Sequence, residues 1–442
     1  MSTPESFESV NSGLDLFTVP PLQTSVERGL WVEHHPLASI TATGPIEFIV
    51  KGAGEDYIDL TNTFIHVRAK ITKEDGSDLV KADDDLVAPV NLFLQALFSE
   101  VDVTMNGVLV STSTNTYAYR AYLETLLSYG HEAKNTQLAN EMYYKEGPSD
   151  FAFSRTNKNP GLAQRRERCR QSKVMDMVGR IHGDIFTQEK LILHGVDIRL
   201  RFVRSKNPFA LLSTVAVGGD TTPHSYKINI NHMSLFVRKA KLNPAIVIAH
   251  GKALQNTTVK YPIKRVVTKV FSAPQGNMNV VQENLFLNQR PNRLVIGLVA
   301  SKAFNGDFSL SPFEFRHFNV NSLALFLDGQ QIPSKPFTPD FTNKTYARSY
   351  MSLFTGTGSA WKDQGNMISY DDYQAGYTLW AIDLTPSLLD GDVTELNRAG
   401  NLRLELGFAK PLPEPVHIVV LGELDGMIEV DRSRQVLTDY TA

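Results

Sequence analysis

A short stretch of this sequence occurs twice in altered form, and this repeat restricts the folds that the chain can adopt. The first copy, NTYAYRAYL, is Asn115–Leu123, and the second, NKTYARSYM, is Asn343–Met351, at a constant shift of 228 positions. Each copy follows an apolar strand pattern that ends in a turn, Asn106-Gly107 in the first half and Asp328-Gly329 in the second. The order of strand, turn and helix therefore occurs twice, which predicts two similar domains in tandem.

The size and composition of the chain agree with two domains. Its 442 residues suffice for two hydrophobic cores of about 200 residues each. A formal net charge of -3 predicts no overall attraction to nucleic acids or acidic membranes. The single cysteine, Cys169, excludes an intramolecular disulfide and a cysteine-based zinc site. Met1–Glu8 lacks the pattern of a signal peptide, and no apolar run is long enough to span a bilayer.

Alternating apolar residues predict β-strands in both halves. In Thr63–Ile71 every second side chain is apolar, with Phe64 as the exception, and Ile198–Phe202 alternates in the same way. Asn106-Gly107 lies between two such runs and predicts a type I′ hairpin. Each half contains about eight strand patterns at the spacing typical of sandwiches. We therefore predict an all-β protein made of two tandem eight-stranded jelly-roll β-sandwiches with short helical excursions.

The predicted domains follow from these patterns. Residues 1–40 lack a period and are assigned to an N-terminal arm, residues 41–242 to the first jelly roll and residues 257–442 to the second. Between them, Asn243-Pro244 has the N-cap and first-turn proline of a helix, which predicts a linker helix over residues 243–256. The polar stretch of residues 145–173 reads as a long connection inside the first jelly roll.

A search for chemical motifs gives no catalytic, cofactor-binding or metal-binding residues. The sequence contains no glycine-rich phosphate loop, no HExxH and no GxSxG. Asp83–Asp85 is predicted to be a solvated acidic turn, with a calcium site as the alternative. Asp371-Asp372, between Tyr370 and Tyr373, fits either a carbohydrate or cation contact or a tyrosine-rich contact between subunits. The sequence therefore predicts a protein that is not an enzyme.

Two groups of residues are candidates for subunit contacts. Apolar side chains in the predicted arm need a surface to pack on, and arginines in the long connection can pair with carboxylates of a neighbour. The arginines can instead be solvated, or they can contact nucleic acid phosphates weakly and without sequence specificity. These candidates are Leu16, Phe17, Trp31, Arg165, Arg166, Arg168 and Arg170.

Several segments resemble one family of proteins. They are Ser12–Pro21, Ser25–Glu33, Pro45–Val50 and Asp56–Ile71, together with the region of Asn106–Tyr122. In these segments the chain resembles the major capsid proteins of polinton (Maverick) elements and of the related adintoviruses. The resemblance is one of whole segments and includes no catalytic signature.

The resemblance implies a structural role. Members of this family are double jelly-roll subunits that form homotrimeric, pseudo-hexagonal capsomers of an icosahedral shell around a double-stranded DNA genome. The implied partners are further copies of the chain, neighbouring capsomers, and penton or minor capsid proteins, without a cofactor. The implied location is the virion capsid, after synthesis in the host cytoplasm and assembly there or in the nucleus. Two alternatives remain: a carbohydrate-binding or glycoside-acting jelly-roll protein, and a minor vertex capsid protein.

Overall fold

The fold was analysed in a computed structural model of the chain, which describes residues 11–17, 19–84, 86–111, 114–148, 151, 159–213, 225–385 and 399–439. The strands of the first half are β1 (Val26–His34), β2 (Ile46–Val50), β3 (Asp56–Lys73), β4 (Val87–Pro89), β5 (Phe98–Met105), β6 (Val108–Leu109), β7 (Met175–Arg180), β8 (Ile198–Arg204), β9 (Leu211–Ser213) and β10 (Tyr226–Leu242). Those of the second half are β11 (Val259–Ala273), β12 (Asn279–Gln282), β13 (Arg293–Ala300), β14 (Val320–Leu327), β15 (Gln330–Phe337), β16 (Leu379–Asp383), β17 (Leu402–Phe408), β18 (Val416–Val430) and β19 (Val436–Asp439).

Short helices connect these strands. They are α1 (Phe93–Ala96), α2 (Tyr117–Ser128), α3 (His131–Asn135), α4 (Pro160–Cys169), α5 (Asn207–Ala210), α6 (Pro244–Ala253), α7 (Ser301–Asn305), α8 (Ala347–Thr355) and α9 (Tyr370–Gln374). The helix α6 occupies most of the predicted linker, and the Asn243 side chain accepts a hydrogen bond from the Ala245 N–H at 2.9 Å, as the N-cap prediction requires.

Both halves have the same sheet topology. In the first half one sheet has the strand order β1-β10-β3-β7 and the other β2-β8-β5-β6. In the second half the corresponding orders are β11-β18-β13-β16 and β12-β17-β14-β15. The short pair β4–β9 and the strand β19, which pairs with β18, lie outside these four-stranded paths. With these three strands left out of the count, both sandwiches join strands one, eight, three and six in one sheet and strands two, seven, four and five in the other. This is the jelly-roll arrangement, so the predicted fold class of two tandem jelly rolls is confirmed.

The repeated sequence occupies the same place in both sandwiches. The hairpin β5–β6 turns at Asn106 (φ 46°) and Gly107 (φ 84°), and the hairpin β14–β15 turns at Asp328 (φ 51°) and Gly329 (φ 83°). Two successive positive φ angles define a type I′ turn, which suits Asn, Asp and Gly. The helices α2 and α8 follow these hairpins, so the repeat is a true structural duplication.

Two predicted segments differ from the structure. The predicted N-terminal arm includes residues 26–34, but they form β1, which pairs in antiparallel register with β10 and is the first strand of the first jelly roll. As an edge strand β1 is mostly exposed, which weakens its alternation pattern in the sequence. The predicted connection of residues 145–173 contains the helix α4, whose N-cap is Asn159 and whose first residue is Pro160.

The apolar core runs without interruption from one sandwich to the other. Each sandwich buries the inward-facing residues of its own two sheets, for example Phe48 and Ile65 in the first and Leu298 and Leu404 in the second. Buried apolar contacts continue across the junction between the halves. The two jelly rolls therefore form distinct sheets but share one continuous packed interior.

Candidate functional site

The helix α2 joins the two jelly rolls. The ring of its residue Tyr122 stacks on the ring of Phe313 in the second half, with the ring centroids 4.2 Å apart and the planes 3° from parallel. One turn earlier, Tyr119 stacks on Phe304 at 5.1 Å. Nearly every α2 side chain is buried. Aromatic stacking on this scale makes α2 the central element of the junction.

A buried ionic cluster accompanies this packing. Arg120 lies 2.6 Å from Asp184 and 2.8 Å from Glu124, and Asp184 Oδ1 accepts a hydrogen bond from the Val266 N–H of β11 at 3.1 Å. Burial by itself would raise the pKa of Glu124, but the charges of Arg120 and His182 outweigh it and lower this pKa to about 2. The adjoining cavity measures only about 20 Å³. The cluster therefore holds the halves together and has no room for a substrate.

The side of the β11-β18-β13-β16 sheet that points away from its own sandwich is covered by α2; we refer to it as the covered sheet face. Its residues Val266, Thr268, Val295 and Leu421 are all buried. The side chains that lie against it include Arg120, Leu123 and Leu127 of α2 and Thr116, the N-cap residue of this helix. One jelly roll thus hides this face of the other within the same chain.

On the matching side of the β1-β10-β3-β7 sheet, side chains of the described residues are in contact with solvent, and we refer to this side as the open sheet face. The ring centroid of Trp31 in β1 lies 5.2 Å from that of Phe64 in β3. The Phe64 ring in turn stacks on the ring of Phe236 in β10, with the centroids 5.0 Å apart. Trp31 is 49% exposed and Val178 of the edge strand β7 is 38% exposed. A row of aromatic rings in contact with solvent is typical of a surface that binds a partner.

The helix α8, which matches α2, is also uncovered on one side. By the shift of 228 positions, Arg120, Leu123 and Leu127 correspond to Arg348, Met351 and Thr355. Arg120 and Leu123 are buried and Leu127 is half-buried, whereas Arg348 and Thr355 are exposed and Met351 is half-buried. We refer to Arg348, Met351 and Thr355 as the open helix face.

The prediction that Arg165 contacts another subunit is corrected by the structure. Arg165 is 0% exposed and pairs with Glu146 at 2.5 Å. Its guanidinium also donates to the carbonyl oxygens of Pro89 at 2.9 Å and Tyr144 at 3.1 Å. Its charge is therefore satisfied inside its own jelly roll. The cause is the helix α4, which turns this side chain inward and anchors the β4 region.

The other arginine candidates, two on α4 and Arg170 directly after it, differ in exposure. Arg166 is buried, whereas Arg168 and Arg170 are exposed, and Arg170 pairs with Glu167 at 2.5 Å. Only Arg168 and Arg170 are therefore accessible to a neighbour. Cys169 lies on the inward side, and burial raises the pKa of its thiol to about 12, so the arginines nearby do not activate it.

The apolar residues of the N-terminal segment lie in solvent. Leu16 is exposed and Phe17 is 95% exposed. Trp31, predicted to be in the same arm, is instead part of the open sheet face. Trp361, in the loop after α8, is another largely exposed aromatic residue; an isolated Trp in a polar loop would have been the signal for it in the sequence.

The acidic candidates pair within the chain. Asp83 lies 3.0 Å from Lys73, Asp84 accepts a hydrogen bond from the Gln171 N–H, and Asp85 lies outside the described residues. Asp372 forms the capping box of α9 with Ser369 and pairs with Lys145 of the first half at 2.5 Å. Within the described ranges, no three His, Cys, Asp or Glu side chains form a group that could hold a metal ion.

An apolar cavity lies under α6. It measures about 420 Å³, and the residues that line it are Tyr57, Lys190, Leu191, Leu193, Leu242, His250, Ala253, Leu254, Thr257, Thr258, Val259 and Tyr261. No carboxylate is among them, whereas glycoside hydrolysis normally needs two. The cavity therefore does not favour a glycoside-acting protein. Among the described residues, no helix combines the length and apolar composition that a membrane span requires.

Comparison with known proteins places the fold among viral capsid proteins. A chain in the structure of the Sputnik virophage matches with a TM-score of 0.63 and 12% identity, over 99% of this chain and 94% of that chain. The Faustovirus major capsid protein matches with a TM-score of 0.56 and 10% identity, over 96% and 92% of the two chains. The mavirus major capsid protein matches with a TM-score of 0.51 and 10% identity, over 99% and 97%. The chain thus has the double jelly-roll fold of viral major capsid proteins.

One sequence relative covers almost the whole chain. An uncharacterised protein of Caenorhabditis elegans is 25% identical over 430 residues, which are 95% of this chain and 99% of that protein. No model of a known protein family matches the sequence.

Proposed function

We propose that this protein is a major capsid protein of the polinton and adintovirus type. Three copies form a homotrimeric capsomer with a pseudo-hexagonal outline. Capsomers tile an icosahedral shell that encloses a double-stranded DNA genome. In this role the chain is a structural protein, and assembly is its function.

The observation that carries this proposal is the duplication of one complete jelly roll within the chain. Both sandwiches have the same strand order, and α2 fixes them side by side. Three such chains around a threefold axis present six similar blocks. A particle of this kind can meet six neighbours, as a closed shell requires, and closed symmetric oligomers are the ordinary form of soluble assemblies. The likeness to viral major capsid proteins supports the same conclusion.

The other partners follow from surface features. The segment before β1 carries exposed apolar side chains, including Leu16 and Phe17, and we assign it to contacts with neighbouring capsomers or with penton and minor capsid proteins. The exposed Arg168 and Arg170 are assigned to capsomer contacts or to weak, non-specific contacts with the genome. A minor vertex protein usually needs a single jelly roll and forms pentamers, so the double sandwich favours the major protein.

The first experiment counts the subunits. Light scattering of the purified chain at micromolar concentration is expected to give the mass of three chains, and electron microscopy is expected to show threefold particles with a six-cornered outline. A monomer would contradict the proposal, and a pentamer would support the vertex alternative. DNA protected from nuclease inside particles formed in expressing cells tests the enclosed genome.

A further inference from the structure

We propose that the open helix face of one copy docks on the open sheet face of the next copy. This contact between two chains repeats the contact that α2 makes with the covered sheet face within a single chain. This inference rests on the proposed function and identifies which surfaces form the trimer.

The argument begins with two equivalent sheets in different surroundings. Strands β3 and β13 have the same place in their sandwiches, as do β10 and β18. On the covered sheet face Val295 and Leu421 are buried by α2, whereas the open sheet face leaves Trp31 and Val178 in solvent. In the part of the chain that the structure describes, α2 therefore fills this position on one sheet, and no helix fills the equivalent position on the other.

The helices show the reverse asymmetry. The helix α2 buries Arg120 and Leu123 against the second jelly roll, whereas the equivalent Arg348 and Met351 of α8 face solvent or are half-covered. Among the described residues, the contacts of the Arg348 guanidinium are local: it donates to the carbonyl oxygens of Lys335 and Pro336 at 2.7 Å each and lies 4.9 Å from the centre of the Phe337 ring. Each chain therefore carries one unused helix face and one unused sheet face.

The occupant of the open sheet face follows from this pairing. Within one chain, the first sandwich uses α2 to cover a sheet of the second sandwich. The second sandwich carries the equivalent helix, α8, whose open helix face is the counterpart that the open sheet face requires. Within one chain the two sandwiches are already joined through α2, and the open helix face of α8 stays exposed, so a second copy must supply the helix for the open sheet face. Such head-to-tail contacts generate a ring when the rotation closes. Trp31 is the expected anchor, because Trp dominates the binding energy of many interfaces.

Separate variants of the two faces test this arrangement. Val178→Glu places a charge on the open sheet face, and Met351→Glu places one on the open helix face. Trp31→Ala and Arg348→Glu are second variants of the same faces. Val281→Glu is the matched control, since Val281 is an exposed valine on the edge strand β12 of the other sheet. Circular dichroism and urea unfolding check that every variant is folded.

Light scattering of the single variants and of their mixture gives distinct outcomes. Val178→Glu and Met351→Glu are each expected to shift the mass from three chains to one, while Val281→Glu stays trimeric. An equal mixture of Val178→Glu and Met351→Glu is expected to form dimers, because one intact helix face can meet one intact sheet face but the ring cannot close. A self-complementary interface would not give this rescue.

Failure of the inference can be told apart from failure of the proposed function. Folded variants of both faces that remain trimeric, or a mixture that remains monomeric beside a trimeric unaltered chain, would overturn the docking of these faces and leave the capsid proposal standing. An unaltered chain that is itself monomeric would overturn both.

Discussion

Tyr122 and Phe313 stack at 4.2 Å across the junction of the two jelly rolls, with their planes 3° from parallel. Tyr122 belongs to the duplicated helix, and Phe313 belongs to the second sandwich. The pair shows that the two copies of the repeat have different surroundings, since α2 is largely buried within the chain whereas one side of α8 is exposed.

Truncation of this stack should destabilise the chain strongly. Tyr122→Ala is expected to lower the free energy of unfolding by about 3–5 kcal/mol, the usual effect of removing a large buried aromatic side chain. Tyr122→Phe keeps the ring and is the control. Urea titration followed by circular dichroism measures both, and a loss below about 1 kcal/mol for Tyr122→Ala would contradict a central role for α2.

Two arginines three residues apart on α4 should behave oppositely. Arg165→Ala leaves Glu146 buried without its partner, so we expect a loss of about 3–5 kcal/mol in the free energy of unfolding. Arg168 is exposed, and Arg168→Ala should change this free energy by less than about 0.5 kcal/mol. Urea titrations measure both variants. Equal changes in the free energy of unfolding would show that the buried Arg165 does not stabilise the chain more than the exposed Arg168 does.

The stability of the chain should depend on pH through Lys134. Its Nζ donates to the carbonyl oxygens of Leu126 at 2.6 Å and Asn366 at 2.7 Å, and burial, followed by the charge of Lys145, lowers its pKa from 10.5 to about 7. At pH values between these two pKa values, Lys134 binds a proton in the unfolded chain but not in the folded chain. The free energy of unfolding should therefore rise with pH in this range, by at most about 1.4 kcal/mol per pH unit.

The control for this pH dependence is Lys134→Met, which removes the titrating group. Urea titrations at several values of pH from 7 to 9 compare the two chains. The slope of the unaltered chain should exceed that of the variant, and parallel slopes would show that Lys134 does not titrate in this range.

The N-terminal segment should matter for assembly and not for the fold of one subunit. Leu16 and Phe17 are solvent-exposed. The double change Leu16→Ser and Phe17→Ser is therefore expected to alter the free energy of unfolding by less than about 0.5 kcal/mol and to leave the trimer intact. Sedimentation velocity should show fewer particles larger than a trimer. Unchanged particle formation would argue against contacts between capsomers through this segment.

Much of the fold could be predicted because its signals are local. The type I′ turn at Asn106-Gly107 requires residues that tolerate positive φ, and the linker helix begins with Asn243 as N-cap and Pro244 in its first turn. The same N-cap signal occurs at Asn159-Pro160, but the residues that follow are polar and rich in arginine, which is typical of a loop as well as of a surface helix. The edge strand β1 escaped prediction because its mostly exposed residues alternate weakly.

The sequence by itself determined that one strand, turn and helix unit occurs twice, since φ preferences and apolar periods are properties of neighbouring residues. Only the tertiary structure decided that Arg120 is buried while Arg348 is exposed, and that Arg165 is an internal ion-pair partner while Arg168 is not. The physical reason is that burial depends on which distant element packs against a side chain, and equivalent positions in two similar halves meet different surroundings.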